Sequence, residues 1–227
     1  MRHYLYILLS GFISGIFVGI GATIYLALLA LGQGEFLARL VGSIFFAFGS
    51  LSILTYETWF YTGKATNIIE NKPKYLLDLL LCSITNIIGV VLFCLIVDTT
   101  RLSPDIKAQA ILLVETKQND TWYSMLILSI LCGIVVGTGV KGYQVCPYPI
   151  GKITILFLAI SLFILCGFEN VFANAGYYTL AEYFDGKSFG YFILCLIGNG
   201  IGAFVIGALL HLEKKLKTTS QESDKKE

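Results

Sequence analysis

Six stretches of this chain, at about residues 4–31, 36–61, 76–97, 122–140, 152–181 and 189–212, run for roughly twenty residues or more with almost no charge. Crossing a hydrocarbon core of about 30 Å takes about 20 apolar residues in a helix. Inside lipid every backbone polar group must be bonded within the protein, so long apolar runs of this kind span as helices. The expectation is an all-α membrane protein with six transmembrane helices. Composition agrees, with 56% hydrophobic and 14% charged residues, against about 45–50% and about 25% in soluble domains. These figures exclude a soluble enzyme and a disordered chain. A net charge of +1 is too small to hold a polyanion, so no nucleic-acid partner is expected. The first run is longer than the roughly 7–15 residues of a signal-peptide core and has no A-x-A site, so it reads as a span. The chain has six cysteines and no C-x-x-C motif. Cys82, Cys94, Cys132, Cys166 and Cys195 fall in apolar runs and read as small buried hydrophobes. No cofactor or metal is expected.

Residues 1–212 read as one six-span domain embedded in the lipid bilayer, and 213–227 as a polar tail. With six spans both termini share one side, which collects eleven Lys and Arg residues, from Arg2 to Lys226, against five on the other. The positive-inside rule puts that side in the cytoplasm, here of the plasma membrane. His3 and His211 sit at span ends and read as interfacial.

The chain also repeats itself. Gly15-Ile-Phe-Val-Gly-Ile-Gly21 in the first run recurs as Gly133-Ile-Val-Val-Gly-Thr-Gly139 in the fourth, and Asn86-Ile-Ile-Gly89 in the third recurs as Asn199-Gly-Ile-Gly202 in the sixth. Both recurrences are separated by about half the chain. They divide it into repeats at about 4–98 and 122–212. Three spans per repeat is an odd number, so the copies must lie inverted in the bilayer, as in many transporters and channels.

Polar residues concentrate in two of the apolar runs: Thr55-Tyr-Glu-Thr-Trp-Phe-Tyr-Thr-Gly-Lys64 and Gly167-Phe-Glu-Asn-Val-Phe-Ala-Asn-Ala-Gly176. A polar group at membrane depth needs a partner or a wet lumen. Both segments contain glycine and occupy roughly equivalent places in the two repeats. Spans 2 and 5 are therefore expected to be broken.

Gly167-Phe-Glu-Asn-Val-Phe-Ala-Asn174 resembles the fifth-span signature of the formate/nitrite transporters, Gly-Phe-Glu-His-x-x-Ala-Asn. Phe60-Tyr-Thr-Gly63 resembles that family's Leu-Phe-Thr-Gly loop, and Gly198-Asn-Gly-Ile-Gly202, with Asn199, resembles its sixth-span motif. The resemblance covers about residues 4–212. It implies an aquaporin-like protomer, a homopentamer with one pore per protomer, and passage of a small anionic solute or its conjugate acid, such as formate, nitrite, hydrosulfide or a short monocarboxylate.

The resemblance also suggests roles for single residues. Thr62 matches the loop threonine and is expected to donate to an anion, cap the broken helix, or both. Lys117, in the loop before the fourth span, matches a vestibule lysine that gathers anions. Asn170 stands where the family has a central histidine; it keeps a donor amide but cannot titrate. Glu169 is expected to accept bonds from freed backbone N–H groups and to point away from the pore, with Asn174 beside it. Phe46, Tyr61, Val136 and Phe163 match positions that narrow the pore, Tyr61 adding a hydroxyl. Ser50 stands where a bulky aliphatic is common, and Lys64 is expected at the cytoplasmic mouth. Trp59 takes the place of the family's loop glutamate, a role not carried over to Glu57.

Three other classes compete with this reading. A neutral-solute channel of aquaporin type is the runner-up, which the untitratable Asn170 keeps open. A non-transporting scaffold would not need two mirrored polar segments. An intramembrane enzyme would need a nucleophile–base pair or metal ligands at depth, and the sequence supplies neither.

Overall fold

The computed structural model describes residues 1–33 and 35–224. Among them the secondary structure is helical throughout: α1 (Arg2–Leu31), α2 (Phe36–Thr55), α3 (Tyr61–Ala65), α4 (Tyr75–Asp98), α5 (Ser103–Gln118), α6 (Trp122–Val145), α7 (Pro149–Leu165), α8 (Val171–Leu180) and α9 (Gly186–Asp224), with a 3-10 turn at Ile68–Glu70. Five of these helices, α1, α2, α4, α6 and α9, are long and apolar enough to cross a membrane. The expected run at 36–61 holds α2, and residues 56–60 beyond it lie outside any helix. The run at 152–181 holds most of α7 and all of α8, with residues 166–170 outside any helix between them. The polar segment expected as a tail continues α9 without a break as far as Asp224.

One helix was not expected. Lys117, expected in the loop before the fourth span, lies instead in α5, formed by residues 103–118. Its start is set by Pro104 in the first turn, where a missing N–H costs nothing. Ile106, Ala110 and Val114, one residue per turn, form a narrow buried stripe on an otherwise polar helix. That stripe packs against α1 and α8.

The core is built from close helix crossings. α1 meets α4 where Gly15 faces Gly89, and a Cβ on Gly15 would stand 2.8 Å from the Gly89 Cα. α6 meets α9 in the same way, a Cβ on Gly202 standing 2.9 Å from the Gly133 Cα. Small residues let the backbones approach to this distance, which supplies packing energy in a setting where the hydrophobic effect between helices is weak. Outward faces carry Leu80, Ile84, Ile88 and Leu92 on α4 and Ile193, Ile197 and Ile201 on α9, all exposed. At the centre, every residue of α8 is buried. The four cysteines Cys82, Cys94, Cys132 and Cys195 are buried as expected; Cys166, the C-cap of α7, is exposed.

α2 and α7 end alike. The Thr58 N–H bonds the Ile53 carbonyl at 3.0 Å, and the Phe168 N–H bonds the Phe163 carbonyl at 2.8 Å. Each is the 6→1 bond of a Schellman ending, which requires a left-handed residue just past the helix. After α7 that residue is Gly167, at φ 68°; after α2 it is Glu57, at φ 54°. A side chain in this region costs about 1–2 kcal/mol. Glu57→Gly is therefore expected to raise the thermal unfolding midpoint of the purified protein, and Gly167→Ala to lower it. Unchanged midpoints in both variants would contradict this account.

Candidate functional site

The two interrupted segments are held by a matching pair of asparagines. Asn86 of α4 donates through Nδ2 to the Gly11 carbonyl at 2.8 Å and to the Trp59 carbonyl at 3.0 Å, while its Oδ1 accepts from the Tyr61 N–H at 3.0 Å. Asn199 of α9 donates to the Ser129 carbonyl at 2.9 Å and to the Glu169 carbonyl at 2.7 Å, while its Oδ1 accepts from the Val171 N–H at 3.0 Å. One turn earlier on each helix a thiol adds a further bond: Cys82 Sγ to the Trp59 carbonyl and Cys195 Sγ to the Glu169 carbonyl, both at 3.3 Å. Both asparagines are fully buried. Each uses one carboxamide to satisfy a carbonyl and an amide that the loss of helix has freed, along with a carbonyl on a neighbouring helix. Trp59 and Glu169 hold equivalent places in this scheme, which explains how a tryptophan can stand at the first: the position is fixed through its backbone.

The two segments meet each other. The Phe60 and Phe172 rings lie 5.0 Å apart and the Tyr61 and Phe172 rings 6.0 Å apart. The Tyr61 hydroxyl donates to the Leu196 carbonyl of α9 at 3.2 Å. The reason is that α9 presents a carbonyl within reach of the ring's end, beside Gly200, where no side chain intervenes.

Asn170 is the N-cap of α8. Its Oδ1 accepts from the Phe172 N–H at 3.0 Å and the Ala173 N–H at 3.1 Å, a preferred arrangement for asparagine at this position. Its Nδ2 has only the weakly accepting Cys132 Sγ, at 3.6 Å. Thr62, in contrast, caps nothing. Its hydroxyl is fully buried and has no hydrogen-bond partner among the described residues, since α3 begins at Tyr61 without a side-chain cap. Two further buried oxygens, Thr23 Oγ1 and Asp78 Oδ1, share this condition but lie on the uninterrupted helices α1 and α4.

Glu169 departs from its expected role. Its carboxylate accepts no backbone N–H. Both oxygens take bonds from Lys117 Nζ at 2.7 Å, and one also takes a bond from Asn174 Nδ2 at 2.7 Å. The freed N–H groups are already taken by Asn170 and Asn199. Lys117 belongs to the last turn of α5 and not to a loop. Its side chain is 12% exposed and that of Glu169 6%, and its ammonium lies 5.9 Å from the Tyr177 ring centre. The pair is separated by fifty-two residues in sequence, which hid it from motif reading.

Phe46 of α2 and Phe163 of α7 are buried and meet edge to face at 5.9 Å. Val136 lines a cavity of about 420 Å³ together with Ser50, Ile53, Phe60, Val140, Leu156 and Ile160. Lys64 also lines that cavity, whereas Thr62, Lys117, Asn170 and Phe163 do not. His3 bonds Asp78 at 3.0 Å and His211 lies 3.4 Å from Glu70.

Long apolar helices packed around two interrupted segments define a multi-pass membrane protein with polar groups at its centre. The family model for formate/nitrite transporters matches residues 2–212, and the chain belongs to that family. It is thereby placed among transporters and not among enzymes. A curated relative, formate channel FocB of Escherichia coli (strain K12), is 27% identical over 176 residues, 71% of this chain and 61% of that protein. The match thus spans less than two thirds of that relative's length. Among solved structures, a pentameric formate channel with formate bound superposes with a TM-score of 0.78 at 17% identity, covering 96% of this chain and 98% of the other. An FNT family ion channel superposes at 0.80, also at 17% identity, covering 92% and 90%. At these identities the likeness is one of fold.

Proposed function

We propose that this chain forms a pore for small monovalent anions or their conjugate acids, of the size of formate, nitrite, hydrosulfide or a short monocarboxylate. In this reading α2 with α3, and α7 with α8, are the two broken spans of a six-span, aquaporin-like protomer. Its halves are related as inverted repeats, five protomers assemble, and both termini lie in the cytoplasm. The matching Asn86 and Asn199 arrangements support the repeat, and the pentameric structural relative supports the assembly.

The observation that carries the proposal is the Thr62 hydroxyl, wholly buried at one interruption and without a hydrogen-bond partner among the described residues. A buried donor left without a partner costs about 1–3 kcal/mol, and a passing anion would supply the acceptor. The Asn170 amide, with only a thiol for company, offers a second donor at the other interruption. Aromatic side chains such as Phe46 and Phe163 would strip water from the solute, and the two donors would replace part of it. Lys117 contributes as half of an ion pair, so it presents a dipole to the solute and not a bare positive charge.

In proteoliposomes, Thr62→Val is expected to cut formate flux by about tenfold or more, since a bond to a charged group is worth about 1.5–3 kcal/mol and about 1.4 kcal/mol is a factor of ten. Valine matches threonine in shape and strands no partner, so the fold is kept. Flux within twofold of the parent would remove Thr62 from the pathway. Stopped-flow swelling with glycerol separates the neutral-solute reading, which the two uncharged donors also permit. Asn170 cannot exchange a proton. From pH 5 to 8 the parent flux is therefore expected to follow only the solute's own protonation, while Asn170→His adds an inflection near the imidazole pKa of about 6.5. Superimposable curves would refute this.

A further inference from the structure

We infer that the cavity lined by Lys64 and Lys152 is a binding site for small divalent anions, which occupy it without passing through. The cavity measures about 420 Å³. Its lining residues Tyr143, Gln144 and Lys152 flank the turn between α6 and α7, and Lys64, Thr58 and Glu57 are also charged or polar. Val136, Val140, Leu156 and Ile160 lie deeper along the same two helices, and Ile53 and Phe60 are also apolar.

The two ammonium groups are what make this cavity a site. Lys64 Nζ lies 5.1 Å from the Trp59 ring centre, and Lys152 Nζ lies 5.7 Å from that of Tyr143. Among the described residues neither is paired with a carboxylate. An aromatic face attracts a cation through its quadrupole but leaves the charge unneutralised. Both lysines are thus held in place with their charge still available. Glu57, the cavity's one carboxylate, is exposed, and its backbone is fixed in the left-handed region beyond α2. The lining therefore carries two cations against one anion, and low-dielectric walls focus such a field.

A monovalent anion gains modestly from this charge and moves on. A dianion gains about twice as much from the lysines, but its desolvation cost grows as the square of its charge, about fourfold. The apolar lining deeper along α6 and α7 then stops it. The expected result is a ligand that binds at the mouth and obstructs it. The obstruction rests on the pore proposed above, while the binding does not.

Sulfate is the probe. Purified full-length protein in detergent is titrated with sodium sulfate, and with sodium chloride at matched ionic strength, while the unfolding midpoint is followed. Sulfate is expected to raise the midpoint saturably and chloride not to. Lys64→Gln with Lys152→Gln is expected to abolish the sulfate effect, and each single change to weaken apparent affinity several-fold. The same protein in proteoliposomes, with sulfate on the cavity side only, is expected to lose formate flux at least threefold, and the double variant to escape that loss. A sulfate response no larger than that of chloride, or one unchanged in the double variant, overturns the site. A lysine-dependent sulfate shift in a protein that conducts no formate upholds the site and overturns the pore.

Discussion

Lys117→Met is expected to destabilise the protein by about 3–5 kcal/mol, because it leaves the buried Glu169 carboxylate with Asn174 as its remaining side-chain partner. At about 2–4 °C per kcal/mol for a chain of this size, the unfolding midpoint should fall by roughly 10 °C. Glu169→Gln should cost a comparable amount by stranding the ammonium. The double variant, with neither charge, should recover most of the loss, since a buried ion pair is often no better than a neutral pair of similar shape. Additive losses in the double variant would show that the two residues act independently. A fall of less than about 2 °C in both single variants would show that the pair is not a structural element.

Asn199→Ala removes three bonds at once and leaves the Ser129 carbonyl, the Glu169 carbonyl and the Val171 N–H with fewer or no partners in a buried setting. At about 1–3 kcal/mol for the stranded Val171 N–H and about 0.5–1.5 kcal/mol for each of the two lost carbonyl bonds, the cost runs from roughly 2 to 6 kcal/mol, enough to unfold a marginally stable domain. The expected result is a protein that cannot be purified as a monodisperse species. Asn199→Asp tests the same site more gently. It keeps the acceptor for Val171 and loses both donations, so it should fold with a lowered midpoint and distort the start of α8. Asn86→Asp is expected to do the same at α3. Midpoints within 2 °C of the parent for both aspartate variants would show that the interruptions hold their shape by other means.

The apolar runs located each long helix, because a 20-residue apolar stretch has few ways to fold, but not every end: α9 continues past Leu212 to Asp224. The polar segments 55–64 and 167–176 likewise marked where helix gives way, since Gly167 and the side chains around it favour an ending. The glycine and asparagine motifs marked the residues that make the matching helix crossings and braces. What each asparagine binds was not visible, because those partners come from other helices. The same blindness applies to Lys117, whose partner depends on how α5 lies over α8. α5 itself escaped notice because one small apolar residue per turn, at 106, 110 and 114, is a weak signal beside the spans around it. The Ser103-Pro104 start was the clue available. Thr62 was read in part as a cap, an assignment that geometry alone could refute.

The paired asparagine braces bear on how a solute would be handled. Each interruption is tied, where the following short helix begins, to a long, unbroken rod, and the two rods are locked to their neighbours through glycine contacts. In the pore proposed above, such a framework would hold the two interruptions in place while side chains set the barrier, and throughput would then keep climbing with solute concentration past the level at which a rocking carrier levels off.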